Sequence, residues 1–250
     1  RLFREWKIPS LQTAQTSTVF RGEILEVDMM KIEILDYTEN PLTVIGDCAR
    51  RCWNSPKGRE VTIAKECIES GHGRVSEFAD ITIELSECSA RVIREIYTHI
   101  VGTSRLQEST RYVDMRSFDY IVPKSIEKNT DAREVYVETM SDIRRAYSKL
   151  LELGIPKEDC ANILPLGSHS KMVLKINVRA LFHLAHERLC TRAYWEIQDF
   201  VILLKKKIYE LGGEWRYISQ LMQPKCEYIG YCKEKHSCGR YPRREEFVKT

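Results

Sequence analysis

Arg179 and His183 stand four residues apart, as do Arg188 and Arg192, so on a helix each pair lines one row of the surface. At about 100° per residue, the nine-residue step from Arg179 to Arg188 turns the two rows to roughly opposite sides. Two polar environments would then flank one apolar stripe. A solvated helix with ordinary basic residues would present the same pairs, and position alone does not decide between the two.

A second dense segment runs from Thr98 to Tyr112 and packs hydroxyls, an amide and two arginines around Gly102. Such groups suit a phosphate and a nucleobase edge, because arginine makes paired hydrogen bonds to phosphate oxygens and an amide can match a base. A polar capping loop has the same composition. Near the C-terminus, Cys226, Cys232 and Cys238 stand with His236 in a basic stretch. Their C-x5-C-x5-C spacing lacks the tight C-x2-C knuckle of strong zinc motifs, so surface thiols and no metal are expected. Lys205-Lys206-Lys207 reads as a solvated helix face.

The elements that must position these groups can be read from periodicity. Lys31 to Leu35 alternates like a half-buried strand, and Asn40-Pro41 marks a turn before a helix from Leu42 to Trp53. Ile63 to Glu69 is helical up to Gly71, and Ile81 to Leu85 returns to strand alternation. Ala90 to Val101 reads as a helix, the stretch to Tyr112 as irregular, and Asp131 to Leu153 as a long helix closed by Gly154-Ile155-Pro156. Leu174 to Asn177 reads as a short strand. From Asn177 to Leu211, Val178, Phe182, Ala185, Leu189, Ala193, Ile197, Val201, Leu204 and Ile208 recur at helical spacing and predict one continuous core helix.

At 250 residues the chain is long enough to bury a sizeable core without staples. A formal charge of +3 sets up no global field towards nucleic acid or a membrane, so any anion must be bound locally. No apolar run approaches the roughly 20 residues of a spanning helix, and Arg1 to Ser10 has no apolar signal core. Nine scattered cysteines indicate reduced thiols rather than a disulfide framework. A soluble, cytoplasmic protein is expected. Residues 1–29 read as an N-terminal extension, native or left from expression, residues 30–222 as the domain, and residues 223–250 as a basic, cysteine-containing tail running over its surface.

The order of these segments resembles the flavin-dependent thymidylate synthase family. Gln107-Glu108-Ser109-Thr110-Arg111-Tyr112 is similar to the end of that family's R-H-R-x-x-S-x-N-E-x-S-x-R-Y signature, with Ser104 at its serine. Both arginines at the signature's start are missing, with His99 nearby and Arg94 or Arg105 able to supply a charge. Ser70-Gly71-His72 followed by Glu77 resembles the family's turn near the flavin, Leu164-Pro165 precedes Asn177 at the family's spacing, and Asn177-Val178-Arg179 stands at its N-x-R. Ala161 occupies a place where the family often has a nucleotide-binding arginine. His183 falls where a polar flavin contact usually sits, and Arg188 at the arginine that activates the pyrimidine.

The resemblance implies an α+β fold with an antiparallel-rich sheet packed by long helices, assembled as a homotetramer with sites between subunits. It implies reductive methylation of dUMP to dTMP, with methylenetetrahydrofolate as carbon donor and FAD recharged by NADPH. Arg188 is the expected catalytic residue. Gln107, Glu108, Ser109, Thr110, Arg111 and Arg188 are expected at the substrate. His72, His99, Ser104, Asn177, Val178, Arg179 and His183 are expected at FAD. A flavin-dependent methylase of another uridine nucleotide, such as UMP, and a non-catalytic flavin- or nucleotide-binding relative are the rival readings. Neither nucleic acid nor a membrane is an expected partner.

Overall fold

A computed structural model describes residues 30–247. The expectation for residues 1–29 lies outside the described residues. In chain order the elements are β1 (Lys31–Tyr37), α1 (Pro41–Cys52), α2 (Glu60–Glu69), a 3₁₀ turn (Gly73–Phe78), β2 (Asp80–Ser89), α3 (Ala90–Ile96), β3 (Thr103–Gln107), α4 (Lys124–Glu127), α5 (Thr130–Glu152), α6 (Lys157–Cys160), a second 3₁₀ turn (Ala161–Ile163), β4 (His169–Asn177), α7 (Val178–Arg188), α8 (Trp195–Glu210), α9 (Gly213–Leu221), α10 (Lys225–Ile229) and α11 (Arg244–Phe247).

The four strands form one antiparallel sheet in the order β1-β2-β4-β3. Its register follows the apolar alternation. Ile81 faces Ile176, Ile83 faces Leu174 and Leu85 faces Met172, all at most 1% exposed. Because side chains directly opposite share a face, these residues and Ile32 form one buried surface. Phe200, Val201, Leu204 and Ile208 of α8, with Trp215 and Ile218 of α9, complete the same core. Each fully buried branched or aromatic side chain contributes about 1.5–3 kcal/mol. On the other face, Glu84, Val173, Lys175, Ser104 and Leu106 alternate with the core positions, and Leu106 is 73% exposed.

Local chemistry sets the helix starts. Pro41 opens α1, and Leu42, Ile45 and Ala49 supply its buried stripe. A Cβ on Gly46 would stand 1.8 Å from the Glu60 carbonyl oxygen, so only glycine lets α1 and α2 approach this closely. Ser89 caps α3 by accepting the Val92 N–H at 3.2 Å, and the buried Glu196 carboxylate accepts from the Ser89 N–H at 2.7 Å and from its hydroxyl at 2.6 Å. A second small cluster places Met140 and Tyr147 of α5 against Met115, Phe118 and Cys160.

Two expectations are corrected. The stretch from Asn177 to Leu211 is two helices, because α7 ends at Arg188 and α8 begins at Trp195. The apolar spacing runs through the break without Gly or Pro. The junction is held instead by Ala193 N–H donating to the Cys190 carbonyl at 3.0 Å and by the Gln198 amide donating to the Ala193 carbonyl at 2.6 Å. The helix expected to Val101 stops at Ile96, after which β3 occupies residues read as irregular. The C-terminal segment lies on the surface, mostly exposed, with Pro224 and Cys232 buried where it closes back on the end of α7. Among the described residues no helix is long and apolar enough to cross a membrane.

Candidate active site

The sheet brings α7 and β3 together through Asn177. Asn177 ends β4 and caps α7, its side-chain oxygen accepting the Ala180 N–H at 2.9 Å. Its own N–H donates to the Gly102 carbonyl at 3.0 Å. Gly102 has φ +75°, and a Cβ there would lie 2.6 Å from the Asn177 amide group. A left-handed glycine is therefore what lets the loop before β3 pass against the start of α7.

That loop carries His99, which is 8% exposed. Its Nε2 accepts a hydrogen bond from Arg188 Nε at 3.0 Å, and its ring stands edge-on to His183 with centroids 5.6 Å apart. With Nε2 accepting, the ring proton sits on Nδ1, a buried atom without a partner. Burial first, and then the neighbouring Arg188 and His183, lower the His99 pKa to about 4, so the ring is neutral near pH 7. Arg188 also donates to Thr98 Oγ1 at 3.0 Å and pairs with Glu95 at 3.2 Å. Glu95 was not singled out from the sequence, and Thr98 was read only as the first residue of the dense polar segment. Their i, i+3 placement after the Ser89 cap was the only signal, and it is common to any helix end.

His183 and Arg188 are therefore bridged by His99 rather than separated on opposite faces, which corrects the two-row reading. Arg192 lies beyond the helix end and pairs with Glu234 at 3.3 Å. At the other end of α7, Arg179 forms an ion pair with Glu77 and passes the Gly73 backbone, where a Cβ would sit 3.5 Å from Arg179 Nε. His72, exposed, immediately precedes that turn. The structure thus gathers His72, His99, Asn177, Arg179 and His183 along α7. Ser104 lies on the open sheet face opposite Lys175. Val178 is fully buried and its N–H donates to the Ala79 carbonyl at 2.9 Å, so its side chain belongs to the core and is corrected from the cofactor set. Arg105 donates to the Tyr97 and His99 carbonyls at 2.7 and 3.2 Å, committing its charge to the loop itself.

The remaining candidates cluster elsewhere. Gln107 ends β3, its amide donating to Ser170 Oγ at 3.2 Å. Glu108 continues the strand pairing through its N–H to the Lys171 carbonyl at 2.9 Å, and Ser109 and Thr110 open the following turn. Arg111 pairs with Glu158 at 2.8 Å, both more than half exposed. Such an exposed pair contributes little and can exchange for another anion. Thr103 and Gln107 mark the two ends of β3, about 13 Å apart by strand rise; the Arg111 turn follows one end and the loop whose His99 meets Arg188 precedes the other.

A cavity of about 220 Å³ lies beyond Arg188, between the end of α7 and the C-terminal segment, and Cys190, Cys226, Cys232 and Cys238 line it. Among the described residues no three His, Cys, Asp or Glu side chains are arranged to hold a single metal ion. The expectation of plain surface thiols is corrected for Cys232, which is buried.

These features define an α+β protein with a sheet open on one face and a guanidinium–imidazole centre where a capped helix meets an edge strand. Residues 33–211 match the family described as thymidylate synthase complementing protein, and the chain belongs to that family. A flavin-dependent thymidylate synthase of Nitratidesulfovibrio vulgaris is 30% identical over 240 residues, covering 86% of this chain and 96% of that one. The enzyme of the same description from Clostridium tetani is 27% identical over 249 residues, covering 88% and 96%. That from Geobacter sulfurreducens is 31% identical over 185 residues, covering 69% and 79%.

Proposed function

We propose that the chain is a flavin-dependent thymidylate synthase that methylates C5 of dUMP, taking the carbon from methylenetetrahydrofolate and using FAD recharged by NADPH. The observation that carries the reading is Arg188, held by Glu95, Thr98 and His99 at the end of the helix that Asn177 caps. Family membership and relatives bearing that name support it.

The residues fit a flavin dinucleotide by their donor chemistry. His72, Arg179 and His183 are exposed polar side chains, Asn177 has a free amide N–H pair, and His99 keeps an unpartnered buried N–H. These five would hold the cofactor with Ser104. The bound flavin would supply the hydride that turns a methylene into a methyl group. The chain's own part is electrostatic. C5 of a neutral uracil is a poor nucleophile, and a guanidinium against the O2 and N3 edge stabilises negative charge spread over the ring. Arg188 takes that role. Neutral His99 accepts from its Nε and fixes the fork without competing for charge. Arg111 and Ser109 take the phosphate, with Gln107, Glu108 and Thr110 around the sugar and base.

Since Arg111 and Arg188 stand at opposite ends of β3 in one chain, a pocket using both is completed between copies. The open sheet face with Leu106 offers a surface for this, and a homotetramer is the assembly proposed. Residues 30–222 are the catalytic unit in this reading, acting in the cytoplasm. A preparation that is yellow with bound flavin and converts dUMP but not UMP in the presence of methylenetetrahydrofolate and NADPH supports it. A colourless protein that leaves FAD fluorescence unchanged overturns it.

A further inference from the structure

The segment from Pro224 to Phe247 takes up a defined path with little of what usually fixes a chain. Its regular structure is α10, the four-residue α11 and one bridge between Cys232 and Arg243. None of its residues belongs to the three hydrophobic clusters. It is fastened to the end of α7 by Lys225–Glu187 and Arg192–Glu234 ion pairs, both 3.3 Å, by Arg240 donating to the Leu189 carbonyl at 3.4 Å, and by Tyr228 against the His186 ring. Exposed ion pairs of this kind contribute little. Short segments without a core are ordinarily held by disulfides or a metal centre. All nine thiols here are free.

Four of those nine meet at one place. Cys190 arrives from the turn after α7, Cys226 from α10, and Cys232 and Cys238 from the loops that follow, and all four line the cavity of about 220 Å³. We propose that Cys190, Cys226, Cys232 and Cys238 are the thiolate ligands of an iron–sulfur cluster seated in this cavity. The inference does not depend on the flavin reading.

Four sulfurs and no required nitrogen or oxygen ligand restrict the occupant to soft metals, chiefly zinc or iron–sulfur clusters. The arrangement separates the two. A tetrahedral zinc ion draws four sulfurs to about 3.8 Å from one another, given Zn–S bonds of about 2.3 Å. Among the described residues no three side chains are arranged to hold one metal ion, and the four cysteines line a space of about 220 Å³, larger than one ion needs. Five arginine and lysine side chains line the cavity against two glutamates, an excess of positive charge that offsets an anionic cluster. Cys238 is exposed while Cys232 is buried, so the centre has one open side through which it can be assembled.

The test is to purify the full chain without oxygen, incubate it with ferrous iron and sulfide, desalt it, and measure iron, acid-labile sulfide and the paramagnetic signal after reduction. A four-iron cluster gives about four iron and four sulfide per chain. Cys238→Ser, at an exposed loop position, should fold normally and lose most of both, as should Cys226→Ser. Cys52→Ser, exposed on α1, should keep them. Iron without sulfide, a single zinc ion on the same cysteines after this treatment, or a disulfide among the four in the oxygen-free preparation would each overturn the proposal.

Discussion

Arg188 and His99, 89 residues apart in sequence, share a hydrogen bond of 3.0 Å from Nε to Nε2. The bond requires an uncharged imidazole, and burial secures one by lowering the His99 pKa to about 4. It also orients the guanidinium so that one terminal nitrogen pairs with Glu95 and the other donates to Thr98, each keeping a second N–H. A neutral histidine thus serves as the rest for a charged arginine.

The same relation makes stability pH-dependent. His99 has an ordinary value of 6.5 and a lowered one in the fold, so the unfolded chain takes up its proton first as pH falls. Stability is unaffected above about pH 7 and declines from about 6.5 down to 4, by about 2 kcal/mol at pH 5 and about 3 kcal/mol near pH 4. His99→Asn should lose most of that slope. Denaturant unfolding of both proteins at pH 7.5 and pH 5 measures it, and equal pH dependence would show that the His99 ring is not buried in its neutral form.

Gly102→Ala should disturb both fold and site. A non-glycine residue at φ +75° costs roughly 1–2 kcal/mol, and the added carbon would meet the Asn177 amide at 2.6 Å. Asn177 would then lose its place as the cap of α7. Lower stability together with weaker FAD binding by fluorescence titration is expected, and a variant matching the parent in both would refute the close approach.

Much of this frame was legible in the sequence, because β1, β2, α1 and α5 show periods that only burial on one face explains. Three features were not. The break at Leu189–Tyr194 falls in an apolar pattern that runs on unchanged, since α8 continues on the same core after the turn. Strand β3 is an edge strand whose open face carries Ser104 and whose core-side positions include Arg105 and Gln107, so no apolar alternation announces it. The meeting of Cys190 with three cysteines more than thirty residues away is a tertiary fact that spacing cannot show. Among the site candidates, the N-x-R pattern located Asn177 and Arg179 on their helix but could not separate Val178, a core residue, from its polar neighbours.

Glu196→Ala tests a buried carboxylate outside the proposed chemistry. It removes the acceptor for both the Ser89 N–H and hydroxyl in a site only 2% exposed. Burial raises the Glu196 pKa, and the Ser89 hydrogen bonds oppose that shift. Leaving the Ser89 groups unpaired should cost about 1–3 kcal/mol. Thermal unfolding should show the loss, and Ser89→Ala added to Glu196→Ala should cost less than the sum of the two single changes. Additive losses would mean that the two residues do not act as a pair.

Arg188→Ala is the decisive change for the proposed reaction. Charge on the pyrimidine is small in the bound substrate and large as C5 attacks, so a guanidinium stabilising it affects turnover more than ground-state binding. Removing one such preorganised donor should raise the barrier by about 2.7–4 kcal/mol, roughly a hundred- to thousand-fold in rate. Arg188→Lys should also be slow, because a point-like ammonium cannot span two acceptors as the planar fork does. The structure adds a condition. Arg188 lies against His99, whose Nε2 would lose its donor, so the FAD titration must be run on each variant alongside the methylation rate. His99→Asn supplies the control, since it breaks the same hydrogen bond and keeps the guanidinium. If the proposed role is right, Arg188→Ala is far slower than His99→Asn at equal flavin occupancy. If the two variants are slowed equally, the arginine acts only by holding the loop, and the electrostatic mechanism is wrong.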